Sequence, residues 1–105
     1  MREKLKGYLG LAVRAGSAYL GGSMALDHIR SGRSGVVLID EEASENTRKK
    51  LCDAADFRHV RRHILPAGWI SGACGKGEWL AVSIAKGNLA DLISRLAETE
   101  ETERE

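Results

Sequence analysis

Four consecutive residues, Val36-Val37-Leu38-Ile39, are all apolar, and three of them are β-branched. Side chains alternate between the two faces of a strand, so a strand with no polar side must be covered on both. That requirement puts a sheet between two layers. It excludes a fold in which one sheet face meets water.

The rest of the chain supplies the covering layers. Leu5, Tyr8, Leu9, Ala12 and Val13 follow the i, i+3, i+4, i+7, i+8 spacing of an amphipathic helix, and Gly16 is placed to stop it. Ala18-Tyr19-Leu20 reads as a short strand. Gly21-Gly22-Ser23 opens a second helix through Met24, Ala25 and Ile29 to Gly32, with Ser23 or a glycine as its cap. After the central strand comes an acidic loop, Asp40-Glu41-Glu42-Ala43. Ser44 is placed to cap a third helix from Glu45 to about Ala55. Val60 to Leu65 reads as a strand interrupted by Arg61, Arg62 and His63. Pro66-Ala67-Gly68 turns into a short helix ending at Gly75, and Gly75-Lys76-Gly77-Glu78-Trp79 is a loop. Leu80 to Ala85 is a final strand, and Asn88 is placed to cap a last helix with a Leu89, Leu92, Ile93, Leu96 stripe.

Helices alternating with strands predict a single α/β domain with helices on both faces of a small sheet. A length of 105 residues fits one domain. With 43% apolar and 30% charged residues the chain has globular composition. No apolar run approaches the roughly 20 residues of a spanning helix. The N-terminus, Met1-Arg2-Glu3-Lys4-Leu5-Lys6, lacks the apolar stretch of a signal peptide. The expectation is a soluble cytoplasmic protein with no membrane partner.

Net charge is +1, and it is unevenly spread. The last nine residues carry five Glu and one Arg, which leaves 15 Lys and Arg against 10 Asp and Glu in the first 96. A basic body (residues 1–96) with an acidic tail (residues 97–105) is compatible with a nucleic-acid partner. The tail either prolongs the last helix or frays, because its glutamates oppose the helix dipole.

No catalytic constellation emerges, so a non-enzyme is expected. His28, His59 and His63 lack metal-ligand spacing, and Cys52 and Cys74, 22 positions apart, read as small buried hydrophobes. Gly75-Lys76-Gly77 lacks the spacing of a phosphate loop. No metal or cofactor is expected.

Three loops carry the functional signal. Gly21-Gly22 precedes a helix N-terminus, where glycines admit a close backbone and free N–H groups attract phosphate; a tight strand-to-helix turn explains the same residues. The segment from Glu41 to Thr47 opens another helix, and ordinary capping accounts for it equally. In the third loop, Trp79 is placed either to stack on an unpaired base, with Lys76 at the backbone, or to pack in the core; Gly75 and Gly77 open the loop and Lys76 hydrates it, so the exposed arrangement is the expectation.

At these residues the chain resembles a known family. Leu9-Gly10-Leu11-Ala12-Val13-Arg14-Ala15-Gly16 is similar to the LGLAxRAGK opening of the bacterial YlxQ-like proteins, members of the ribosomal L-seven-Ae/L-thirty-e superfamily. Ile29-Arg30-Ser31-Gly32 resembles their IRSGK segment. Val36 to Ile39 followed by Glu41-Glu42-Ala43-Ser44-Glu45-Asn46-Thr47 resembles VLLAEDASENT, and Gly72-Ala73-Cys74-Gly75-Lys76 resembles LGKAIGKE. The correspondence runs from about Lys4 to Leu96.

The resemblance implies a three-layer α-β-α sandwich with a four-stranded mixed sheet. It implies binding of structured RNA, typically kink-turns: sharply bent helix-internal-loop elements with sheared G·A pairs. The implied RNA face is the start of the second helix, the loop after the central strand and the loop before the last strand. Carried onto this chain, it comprises Gly21, Gly22, Ser23, Asp27, Arg33, Glu41, Glu42, Ser44, Asn46, Lys49, Gly75 and Lys76. Trp79 is added from the loop argument above. Against the GxNExxK signature of archaeal and eukaryotic members, Gly21 matches, Ser23 takes the asparagine position, Met24 the glutamate position and Asp27 the lysine position. Met24 removes an acceptor and Asp27 reverses a charge beside phosphate, so weak binding to a standard kink-turn is expected. The implied function is RNA binding near the ribosome, with ribosomal or another kink-turn RNA as partner and ribosomal or other proteins as further partners. The alternative is a protein-interaction adaptor on the same fold with weakened or lost RNA binding.

Overall fold

The computed structural model describes the backbone of residues 2–104 and the side chains of residues 2–102. The elements in chain order are α1 (Arg2–Arg14), β1 (Ala18–Leu20), α2 (Gly22–Arg30), β2 (Ser34–Asp40), α3 (Glu45–Phe57), β3 (Arg61–Leu65), α4 (Trp69–Cys74), β4 (Ala81–Ala85) and α5 (Asn88–Arg104). The sheet runs β1-β4-β2-β3. β2 and β3 are parallel, while β4 is antiparallel to both β1 and β2. The sheet is therefore mixed and four-stranded.

The apolar run occupies the centre of β2, and all four of its residues are fully buried. Its side chains divide by parity, as a pleated strand requires. Val36 and Leu38 join Val82 and Ile84 under Leu5 and Leu9 of α1, Ile70 of α4 and Ile93 of α5. Val37 and Ile39 join Ala25 and Ile29 of α2 and Leu51 and Ala55 of α3 on the other face. Three helices cover one face and two the other.

Gly35 stands at a register irregularity between Ser34 and Val36, near the start of this strand. A Cβ at Gly35 would lie 2.8 Å from Ala90 Cβ and 2.9 Å from Lys86 Cα. Glycine there lets α5 lie close against the sheet. The arginines that interrupt the apolar pattern of β3 sit on an edge strand. Arg61 reaches Asp91 at 2.7 Å and the Gly35 carbonyl at 3.1 Å, and Arg62 reaches Asp56 at 2.9 Å. Charged residues on an exposed edge oppose strand addition.

Two local expectations change. Asn88 is the first helical residue of α5 rather than its cap. Cys52 is only half-buried, whereas Cys74 is buried and desolvation pushes its thiol up to about 11. Of the two alternatives for the acidic segment, helix continuation is what occurs. α5 runs on to Arg104, with Ala97 fully buried, and Glu105 lies outside the described residues. No helix among the described residues is long and apolar enough to cross a membrane.

Candidate nucleic-acid interface

The three loops singled out in the sequence meet at one end of the sheet. Gly21 links β1 to α2, its N–H donating to the Ala81 carbonyl at 2.8 Å. Its φ of 92° is a conformation that favours glycine. No side chain caps the start of α2, so its first-turn N–H groups lack the usual side-chain acceptor. At Gly22 a Cβ would lie 3.4 Å from Thr47 Cγ2, so the first turns of α2 and α3 abut. Ser44 caps α3: its hydroxyl accepts from the Thr47 N–H at 3.1 Å and donates to Thr47 Oγ1 at 2.9 Å.

The third loop is wound by three successive positive φ angles, at Gly75, Lys76 and Gly77. The left-handed region is uncommon for a lysine, and it presents Lys76 at an exposed tip. Trp79 folds back across this loop. It is half-buried, and its indole N–H donates to the Gly75 carbonyl at 2.8 Å, closing the end of α4. The ring lies against Gly77 on one side and Gly21 on another, at 3.3 and 3.8 Å from where their Cβ atoms would stand. The backbone of Trp79 is held as well, since its N–H donates to Ser71 Oγ at 2.7 Å. Of the two fates open to Trp79, packing describes the structure better than an outward-facing ring does.

Between α2, α3 and the third loop lies an open cleft of about 310 Å³. Ser23 and Leu26 come from α2, Thr47, Lys50 and Leu51 from α3, and Leu80 from the segment after Trp79. Leu80 is 44% exposed. An apolar wall, two hydroxyls and one ammonium suit a flat, partly apolar ligand that carries negative charge.

The structure brings together Gly21, Gly22, Ser23, Trp79 and the start of α3, where Asn46 is exposed. It separates others from the cleft. Lys49 is not among the residues lining the cleft and pairs with Asp53 at 3.1 Å. Lys50 is the lysine that lines the cleft, and the sequence reading passed over it. Helical spacing carries the signal, because Thr47, Lys50 and Leu51 stand at i, i+3 and i+4. Asp27 and Arg33 share a different depression with Tyr19, Met24, His28 and Ser31.

Beyond Leu80 the surface turns acidic. Another depression, of about 320 Å³, is lined by Asp40, Glu42, Gly68, Ser71, Glu78 and Leu80. Asp40 has a structural task there. Its carboxylate accepts from the Glu42 N–H at 2.7 Å and the Gly68 N–H at 2.9 Å. It thereby joins the loop after β2 to the start of α4. Glu41 and Glu42 are exposed at the same end.

His28, in the last turn of α2, is buried, its ring stacked on Tyr19 with centroids 3.8 Å apart. Ser83 Oγ donates to Ser34 Oγ at 2.7 Å, and Ser34 Oγ donates onward to the Val36 carbonyl. Ser83 therefore accepts from His28 Nδ1–H at 2.6 Å. Nε2 is left buried without a hydrogen-bond partner among the described residues. Burial first, and the nearby Arg33 charge second, hold the imidazole below its ordinary titration range.

No family model matches the chain. The chain is 33% identical over 90 residues to the RNA-binding protein YlxQ of Bacillus subtilis (strain 168), covering 84% of this chain and 90% of that protein. It is 36% identical to the RNA-binding protein YlxQ of Enterococcus faecium over 59 residues, spanning 56% of this chain and 57% of that one. Among solved structures, a protein of unknown function from Bacillus halodurans C superposes with a TM-score of 0.85 at 22% identity, covering 90% of this chain and 97% of that one. The Giardia lamblia 15.5kD RNA binding protein superposes with a TM-score of 0.73 at 17% identity, over 90% of this chain and 85% of that one. The architecture is thus that of the L-seven-Ae/L-thirty-e-like proteins, the class that the sandwich and its mixed sheet define. Within that class the chain belongs to the YlxQ family.

Proposed function

We propose that this chain is a non-enzymatic RNA-binding protein that recognises structured, kink-turn-like RNA in the cytoplasm, in association with the ribosome. Relatives named as RNA-binding proteins support RNA as the partner class. The observation that carries the reading is the convergence of Gly21, Gly22, Thr47 and Trp79 beside one cleft with Ser23 and Lys50 on its wall. Glycines at the start of α2 allow a nucleic-acid backbone to approach closely, and uncapped N–H groups favour phosphate. Recognition of this kind rests on shape and backbone contacts rather than a sequence code. On this reading residues 1–96 carry the RNA-binding face and the acidic segment lies outside it.

A second reading, a protein-interaction adaptor, draws support from one observation. The acidic depression of Asp40, Glu42 and Glu78 borders the cleft at Leu80, and acids beside the site oppose phosphate. The test is a fluorescence titration with a kink-turn hairpin and a matched hairpin whose sheared G·A pairs are replaced by Watson–Crick pairs. Tighter binding to the kink-turn supports the first reading. Equal binding to the two defeats kink-turn recognition, and no binding to either supports the adaptor.

A further inference from the structure

A second cavity, of about 390 Å³, continues along the same two helices away from the cleft. It is lined by Arg30 at the end of α2, by Lys50, Asp53, Ala54 and Phe57 of α3, and by Arg58 just beyond. Lys50 lines both cavities, so they adjoin at that side chain and together mark out a groove along α2 and α3. The helical rise from Thr47 to Phe57 gives it a length of about 15 Å.

Phe57 ends this groove with 78% of its surface exposed. One exposed apolar side chain needs no explanation. Phe57, however, stands among cations: the Arg58 guanidinium lies 5.8 Å from its ring centroid, and Arg30 and Lys50 face the same cavity. Among the described residues none of these three cations forms a salt bridge. The one acid in the cavity, Asp53, is paired with Lys49. An aromatic platform beside unneutralised cations, continuous with a nucleic-acid interface, is the combination that holds unpaired strands.

We propose that the groove between α2 and α3 is a track for single-stranded RNA leaving the structured element, with Phe57 stacking on a base and Arg30, Lys50 and Arg58 holding phosphates. The proposal rests on the RNA-binding reading above and extends it to an RNA segment that the cleft itself does not reach.

The probes are a blunt kink-turn hairpin, the same hairpin with a tail of about eight uridines at either end, and free oligouridine of that length, within the site sizes of single-strand binders. The variants are Phe57→Ala and the double change Arg30→Ala with Arg58→Ala, both at exposed positions, with melts confirming the fold. One tailed hairpin should bind about five- to hundredfold tighter than the blunt one, the effect of stacking one base. Phe57→Ala should remove most of that advantage and leave the blunt hairpin's affinity unchanged. The double change should lower the salt slope of the tailed hairpin by about one to two units, because two phosphates then keep their counterions. A tail that adds nothing, while the blunt hairpin binds, overturns the track and leaves the RNA-binding function standing. Where neither hairpin binds, kink-turn recognition fails and oligouridine decides: binding lost in Phe57→Ala supports the track, and absent or indifferent binding overturns it. Self-association of the protein that vanishes in Phe57→Ala, with RNA affinity intact, assigns the groove to protein instead.

Discussion

The indole N–H of Trp79 and the carbonyl of Gly75 are 2.8 Å apart, and this bond ties the loop before β4 to the end of α4. Gly21, at the start of α2, rests against the same ring. Two of the three loops at the interface are therefore set relative to each other by one side chain. Trp79→Phe keeps the apolar contact and removes the hydrogen bond, so it should cost about 1 kcal/mol. Trp79→Ala also loses the half-buried ring and should cost about 2 kcal/mol, below the range for a fully buried tryptophan. Denaturant melts of the two variants check this, and equal losses would mean that packing contributes nothing.

Glu101 explains why the acidic end of α5 is helical despite its charge. Oε1 meets His63 Nδ1 at 2.6 Å, and Oε2 accepts from the Ile64 N–H at 2.9 Å. Ser94 holds the other ring nitrogen of His63 at 2.8 Å. The carboxylate thus covers a backbone donor on an edge strand. Glu101→Ala should destabilise the protein by about 1.5–3 kcal/mol, the range for hydrogen bonds to a charged group. Hydrogen exchange at Ile64 should quicken in the variant. An unchanged exchange rate there would show that the edge is protected by something else.

How much of this was legible in the sequence varies with the range of the interaction. The β2 run predicted both layers, because burial of alternate side chains on opposite faces is a local consequence of four apolar residues. The cap at Ser44 and the stop at Gly16 were equally local. The clasp between Glu101 and His63 was not legible, because it joins residues 38 positions apart and depends on how α5 crosses β3. Lys49 and Lys50 are alike in charge, and only helix phase separates the one paired with Asp53 from the one in the cleft. Trp79 offers no such rule, since its packing depends on Gly21, far off in sequence, as well as on Gly75 and Gly77 nearby.

The buried His28 makes stability depend on pH. Its folded-state pKa is depressed, so the unfolded chain binds more protons as pH falls through the ordinary value of 6.5. Stability contributed by the neutral ring is complete above that value and is lost as pH drops towards the lower folded pKa. Urea melts between about pH 8 and 5 should therefore show falling stability on acidification. His28→Gln should remove this part of the slope, whatever its effect at neutral pH. A variant with the same pH slope as the unmodified protein would exclude His28 as the titrating group.

At Gly35 the first turn of α5 lies close against the sheet. A Cβ there would stand inside contact distance of Ala90 Cβ and the Lys86 backbone. The strand cannot yield without moving the β2–β4 register. Gly35→Ala should cost about 1–3 kcal/mol through overpacking. Combining it with Ala90→Gly should restore part of the loss in the same melts, since that removes the atom at 2.8 Å.

Lys49 and Lys50 are neighbours in sequence, yet they should act differently on RNA. Lys50 lines the cleft beside Ser23 and Thr47, whereas Lys49 does not line it and its ammonium is held by Asp53 at 3.1 Å. A phosphate contact contributes about one unit to the slope of log affinity against log salt. Lys50→Ala should thus lower affinity for a kink-turn hairpin and flatten its salt dependence by about one unit. Lys49→Ala should leave both nearly unchanged, since an exposed i,i+4 pair contributes only a few tenths of a kcal/mol to stability and none of it at the cleft. Both variants belong in one salt series of fluorescence titrations, with melts run in parallel. Equal slopes for the two would mean that RNA senses only the general charge of α3. A loss confined to Lys49→Ala would place the RNA on the outer face of α3 instead of in the cleft.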